Sequence, residues 1–240
     1  MSMPFYVSPE QVMKDRADYA RKGIARGRSL AALRFHGGIV VVAENPSNTL
    51  RKVSEIYDRI AFAGVGRYSE FDQLRIAGVR HADLKGYSYS REDVDARSLA
   101  NAYAQILNQV FTHEIKPLEV EILVAEVALD PHGADQLFHI LYDGTVMDEG
   151  RFSVLGGEAE AITNRMEDGF VEGLSLSDAV AVAVHALAGP DRALTADDLE
   201  VAVIDRTHGR RAFRRIENDE LVALVPAAPQ VESQPEAAPE

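Results

Sequence analysis

The sequence predicts an α+β domain in which one sheet packs on another and pairs of helices cover the outer faces. Strand-like segments come in blocks, and each block is separated from the next by a pair of helical segments. One strand, Ile39-Val-Val-Val-Ala43, is apolar throughout, as burial on both faces requires. Of 240 residues, 46% are hydrophobic and 26% charged, so the chain can bury one sizeable core.

A helix opens the chain. Ser8 is its N-cap, Pro9 its first turn, and Gln11 stands at the capping-box position. It is expected to run to about Lys22 and to stop at Gly23. Its apolar face, Met13, Ala17 and Ala20 flanked by Val12 and Tyr19, is narrow, which suggests an added layer and not core. Leu30 to Phe35, a Gly37-Gly38 turn and Ile39 to Ala43 form a hairpin. Val53 to Tyr57 and Ile60 to Val65 form a second pair around Asp58-Arg59. Tyr68, Phe71, Leu74, Val79 and Ala82 keep helical spacing, interrupted by Gly78. Leu99, Ala102, Tyr103, Ile106, Val110 and Phe111 form the strongest helical stripe, opened by Ser90 to Asp93 and ended by Pro117.

Strands resume with alternation at Val120, Ile122 and Val124, and again at Leu137, His139 and Leu141. Asp143-Gly144 is a turn. Phe152 to Leu155 leads through Gly156-Gly157 into a helix from Glu158. Ser177-Asp178 caps a further helix with Val180, Ala183, Val184 and Leu187 on one face, closed by Gly189-Pro190. Leu199 to Ile204 and Ala212 to Ile216 form a last hairpin, and Asp219 to Val225 a short helix. The chain therefore divides into residues 1–7, a single domain over 8–225 that includes the helix at 8–23, and a Pro/Ala/Glu tail over 226–240. The tail offers too little apolar surface to offset ordering and is expected to be disordered. Residues 1–7 are apolar without periodicity and are expected to pack against something.

The charge balance, 25 basic against 38 acidic residues, gives −13 and argues against a nucleic-acid partner. With no cysteine, disulfides, thiolate catalysis and cysteine-ligated metals are excluded. No apolar run approaches bilayer length and no signal-peptide order opens the chain, so a cytoplasmic protein without a membrane partner is expected.

No usual active-site signature is present. There is no G-x-S-x-G elbow. Gly64-Val-Gly66 lacks a third glycine for a dinucleotide fingerprint and reads as a turn needing small residues. Gly156-Gly157 has the same standing, although a helix N-terminus there could hold an anion. The seven histidines are scattered, and His81-x-Asp83 reads as a solvated helix face, not a metal site. Asp148-Glu149 and Asp197-Asp198 are expected at turns and caps. No cofactor or metal is expected.

Several stretches, in order and spacing, resemble the α subunit of the actinobacterial-type proteasome core particle. They are Ser8 to Gln11 through Tyr19-Ala-Arg-Lys-Gly23, Gly37-Gly-Ile-Val-Val-Val-Ala-Glu44-Asn-Pro46, Lys52-Val-Ser-Glu-Ile-Tyr-Asp-Arg59, Leu155-Gly-Gly157 and Leu199 to Asp205. The resemblance implies the four-layer αββα sandwich of the N-terminal-nucleophile hydrolases. Active members of that superfamily expose a Thr, Ser or Cys at a freed N-terminus, with an acid and a Lys in support. At the matching positions this chain has Arg28, Glu44 and Lys52, with Arg28 inside a continuous chain. Gly144-Thr145 is the only Gly-Thr step, and cleavage there would cut the domain in two. The resemblance thus implies a non-catalytic subunit: seven copies form an outer ring that templates the catalytic β subunits.

It further implies that Ser2, Met3, Pro4, Phe5, Tyr6 and Val7 plug the axial pore through which protein substrates pass, supported by Ser8, Pro9 and Tyr19. The Tyr-Asp-Arg gate motif of archaeal and eukaryotic relatives is missing before the helix. By the same resemblance, Lys52 pairs with the C-terminal carboxylate of a docking ring-shaped ATPase. Gly66 would form the wall of that pocket. The competing readings are a self-processing N-terminal-nucleophile hydrolase and a metabolite-binding α/β module built on one of the glycine turns.

Overall fold

Apolar strands and one-sided helices assemble into four layers. The computed structural model describes residues 8–128, 130 and 133–226. The segment 2–7, expected to form the gate, and all of the tail but Pro226 lie outside the described residues. The elements are α1 (Pro9–Ile24), β1 (Leu30–Phe35), β2 (Gly38–Glu44), β3 (Val53–Tyr57), β4 (Ile60–Gly66), α2 (Tyr68–Ser88) and α3 (Ala96–His113) in the first half. The second half adds β5 (Val120–Glu126), β6 (Gln136–Ile140), β7 (Val146–Asp148), β8 (Phe152–Leu155), α4 (Ala159–Gly169), α5 (Leu176–Ala188), β9 (Leu199–Asp205), β10 (Phe213–Ile216) and α6 (Asn218–Leu224).

All strand pairs are antiparallel, in two five-stranded sheets ordered β10-β9-β2-β1-β8 and β3-β4-β5-β6-β7. Strand alternation divides the core. Leu33, Val40, Val42 and Val203 face α4 and α5, where Ile162, Met166, Val180 and Leu187 meet them. Leu30, Ile39, Val41, Leu123 and Leu137 fill the space between the sheets. Phe62, Ile122, Val124 and Ile140 face α2 and α3, against Phe71, Leu74, Leu99 and Tyr103. This is the expected αββα sandwich, and β2 is buried along its whole length.

Several expectations are corrected. Gly23 does not end α1, which continues to Ile24. A Cβ at Gly23 would strike the Glu119 side chain, so the glycine serves close packing. Nor is α1 outside the core: Ala20 and Ile24 are buried in the inter-sheet cluster, while Met13, Val12 and Tyr19 face outward. The Ser8 hydroxyl accepts from the Gln11 N–H at 3.2 Å, but the Gln11 side chain donates forward to Asp15 instead of closing a capping box.

Gly78 does not interrupt α2, because a Cβ there would coincide with the buried Tyr103 hydroxyl. Ser90 to Asp93 forms a separate 3-10 turn, and α3 is capped by Asp95, whose carboxylate accepts from the Ser98 N–H at 2.8 Å. Likewise α5 is capped by Ser175, two residues before the expected Ser177. Asp148 ends the short strand β7 instead of lying in a turn, and Glu149 follows it. Asp198 does cap, receiving the N–H and hydroxyl of Thr195 at 3.0 and 2.8 Å.

Candidate functional site

Four of the residues singled out from sequence, Arg28, Glu44, Lys52 and Gly66, converge where α1 hands over to β1, whereas Ser8 and Pro9 stand at the other end of α1 and Tyr19 on its exposed face. Gly27 lies against the end of β4, since a Cβ on it would sit 2.9 Å from the Gly66 nitrogen. The next residue, Arg28, is held from two sides. Its guanidinium donates to the Glu44 carboxylate at 2.7 Å, and its carbonyl oxygen accepts from the Lys52 ammonium at 2.6 Å. Glu44 closes β2, and its N–H donates to Ser29 O. Arg192, beyond α5, makes a second cationic contact with the Glu44 carboxylate at 3.1 Å. Arg28, Glu44 and Lys52 are thus brought together as the resemblance implied, with Gly66 alongside through Gly27.

Glu200 fixes where Lys52 stands. This buried carboxylate accepts from the backbone N–H of Lys52 at 2.8 Å and of Val53 at 3.2 Å, from Asn45 Nδ2 at 2.8 Å and from Arg215 at 2.6 Å. It therefore joins the start of β3 to β9 and β10. Sequence reasoning missed it, although an acid inside the apolar run Leu199-Glu-Val-Ala-Val-Ile was the available signal: a buried carboxylate must be paired. Glu200→Ala strands the Arg215 guanidinium and two N–H groups. It is expected to cost about 3–5 kcal/mol and to lower the chemical-denaturation midpoint accordingly. Arg192 was missed too, with no local signal to mark it.

Burial lowers Lys52 from the ordinary lysine value to about 8, against the opposing pull of Glu44 and Glu200 and with Arg28 adding to the fall. At neutral pH it remains mostly cationic, with N–H donors left over after one goes to Arg28.

Gly66, expected as the wall of the pocket, has a backbone reason for being glycine. Gly66 has φ +106°, and a Cβ there would overlap the Glu119 carbonyl oxygen of the neighbouring segment. The missing side chain makes room for the chain's own backbone, which also takes the Arg67 N–H at 2.9 Å. Beside it, Glu119 binds Arg67 at 2.6 Å and Lys116 at 3.1 Å. Although burial opposes it, these cations hold the Glu119 carboxyl below its usual range. Lys116 also lies 5.8 Å from the centre of the Tyr19 ring, which ties the exposed face of α1 to this ion network.

The glycine turns are likewise occupied by the protein. A Cβ on Gly156 would strike Ser29, one on Gly157 the Ala25 carbonyl, and one on Gly64 the Phe71 ring. Gly144, with φ +88°, closes the turn between β6 and β7, and Thr145 donates its N–H to Asp143 at 2.9 Å. His81 and Asp83 lie on the exposed face of α2, and no cluster with the makings of a metal site occurs among the described residues. No helix among them is long and apolar enough to cross a membrane.

Comparison with known proteins places this geometry in a family. Residues 24–204 match the family model described as proteasome subunit. The chain is 64% identical over 221 residues to the proteasome subunit alpha of Acidimicrobium ferrooxidans, covering 92% of this chain and 95% of that one. It is 56% identical over 231 residues to the proteasome subunit alpha of Thermobifida fusca, covering 95% and 92%. Identity to the corresponding Nocardioides protein is 55% over 250 residues, covering 100% and 98%. The chain belongs to the proteasome subunit family, on its α side.

Proposed function

We propose that the chain is a non-catalytic subunit of a seven-membered α ring in a cytoplasmic proteasome core particle. In that role it templates catalytic β subunits, gates the axial pore with residues 2–7 and docks a ring-shaped ATPase at Lys52. One observation carries the non-catalytic reading. The residue at the nucleophile position is Arg28, which lies within continuous backbone between α1 and β1, and its carbonyl engages the supporting lysine. No hydroxyl or free amine stands there to attack a peptide bond.

Co-expression with the cognate β subunit tests this. A barrel with peptidase activity and an α chain of unchanged intact mass is expected. A chain purified alone, trimmed ahead of residue 28 and cleaving peptides, is the opposite result.

What supports ring stacking is the end of α2 and the residue after it, where Leu84 is 68% exposed, Tyr87 90% and Tyr89 78%. Such bulky apolar groups suit a partner subunit. The gate reading draws support from the Ser8 cap and Pro9, which start α1 immediately after that segment in the sequence. Deleting residues 2–7 is expected to raise hydrolysis of short peptides several-fold by the assembled particle, measured with a fluorogenic peptide; an unchanged rate removes the gate.

A further inference from the structure

The chain has five lysines, and they stand in three environments. Lys14 and Lys22 are exposed to water on α1. Lys85 and Lys116 are engaged by carboxylates, Lys85 by Asp95 at 2.6 Å and Lys116 by Glu70 at 2.5 Å and Glu119 at 3.1 Å. An opposite charge so close favours the ammonium form, which has no lone pair to offer. Lys52 is the exception. It is half-buried, the one hydrogen bond of its ammonium goes to a neutral oxygen, Arg28 O, and no carboxylate bonds it among the described residues.

The two acids that face Lys52 are already taken. Glu44, from β2, is held by Arg28 at 2.7 Å and by Arg192 at 3.1 Å. Glu200, from β9, is held by Arg215 at 2.6 Å and accepts from Asn45 Nδ2 and from two backbone N–H groups. Arg28 stands beside the ammonium as a like charge. Burial, with that like charge, outweighs the pull of Glu44 and Glu200 and lowers Lys52 to about 8. About half of the side chain is then free amine at pH 8.

We infer that Lys52 is an acylation site, modified without an enzyme by small acyl phosphates, and that the modification closes the docking contact. The ammonium first releases a proton to solvent. The lone pair of the free amine attacks the carbonyl carbon of the donor and forms a C–N bond. The C–O bond to phosphate breaks, phosphate leaves with that bonding pair, and one proton on the nitrogen passes to solvent. A half-buried amine admits a small donor, which favours an acyl phosphate over a bulky acyl thioester.

The product is a neutral amide with a single N–H. Arg28 O, 2.6 Å from the Lys52 nitrogen, is placed to take that hydrogen. Neither a charge nor a donor is then left for an incoming carboxylate. This consequence rests on the docking reading, whereas the reactivity of the amine stands without it.

The test treats the particle, the full chain co-expressed with its cognate β subunit, with acetyl phosphate at pH 8 and times acetylation at each lysine by peptide mass spectrometry. Lys52 is expected to react at least about tenfold faster than Lys14 and Lys22 of the same chain. Equal or slower reaction at Lys52 overturns the inference. Faster reaction with acetyl coenzyme A than with acetyl phosphate at equal concentration overturns the choice of a small donor. Binding of a labelled C-terminal peptide of the ATPase, followed by fluorescence anisotropy, is expected to fall in proportion to acetylation at Lys52. Full binding by a particle acetylated there overturns the closure and the docking reading together, and leaves the reactive amine standing.

Discussion

Lys52→Ala is expected to abolish ATPase-stimulated protein degradation in a particle that still assembles and still cleaves short peptides. The ammonium is half-buried beside Glu44 and Glu200, and among the described residues only Arg28 O takes one of its N–H donors. A terminal carboxylate arriving there gains a charge-assisted hydrogen bond in a partly desolvated site, worth about 1.5–3 kcal/mol. Its loss weakens each tail by about tenfold to a hundredfold. The neighbourhood also sets a pH signature. With Lys52 lowered to about 8 by burial, the cation is present below pH 8 and is lost as pH rises through it. A bound carboxylate favours the charged form, so binding must take up a proton above pH 8. Tail affinity should therefore fall by about tenfold per pH unit there. Fluorescence anisotropy with a labelled C-terminal peptide of the ATPase checks both effects: binding equal at pH 7 and pH 9.5, or unchanged in Lys52→Ala, removes Lys52 from the docking contact.

The fold was legible in the sequence where burial forces composition. The unbroken run of β2 could only be a strand covered on both faces, and α3 showed its stripe because one face meets a sheet. Boundaries were less legible, since several residues can cap a helix and packing selects among them: Asp95 over Ser90, Ser175 over Ser177. Two glycines misled for one reason. Gly23 and Gly78 looked like breaks, yet each sits in a helix where the Glu119 or Tyr103 side chain occupies the space of a Cβ, a contact between residues distant in sequence. Strand β7 was missed because three residues are too few for alternation to register. At the site, Lys52 and Glu44 were visible through resemblance. Their partners Glu200 and Arg192 come from 148 residues away in each case, and only the folded chain joins them.

Gly66→Ala separates two explanations of that glycine. If its role were to leave space for an incoming tail, a methyl group would weaken docking and spare the subunit. The backbone says otherwise. At φ +106° an L side chain is strained, at about 1–3 kcal/mol. The added methyl would also overlap the Glu119 carbonyl oxygen, in the stretch where Gly66 pairs with Val120. Relief requires the end of β4 to part from β5, which disturbs the Arg67 N–H bond to Glu119 O and the packing of Gly27 against the Gly66 nitrogen. The total is expected to reach at least about 3 kcal/mol. For a domain of this size that lowers the melting temperature by about 6–12 °C. Differential scanning calorimetry of the purified subunit decides it. A variant that melts with wild type but no longer binds the ATPase tail would restore the pocket-wall role. A variant that melts early assigns Gly66 to the ladder that holds Lys52, Glu44 and Arg28 in register.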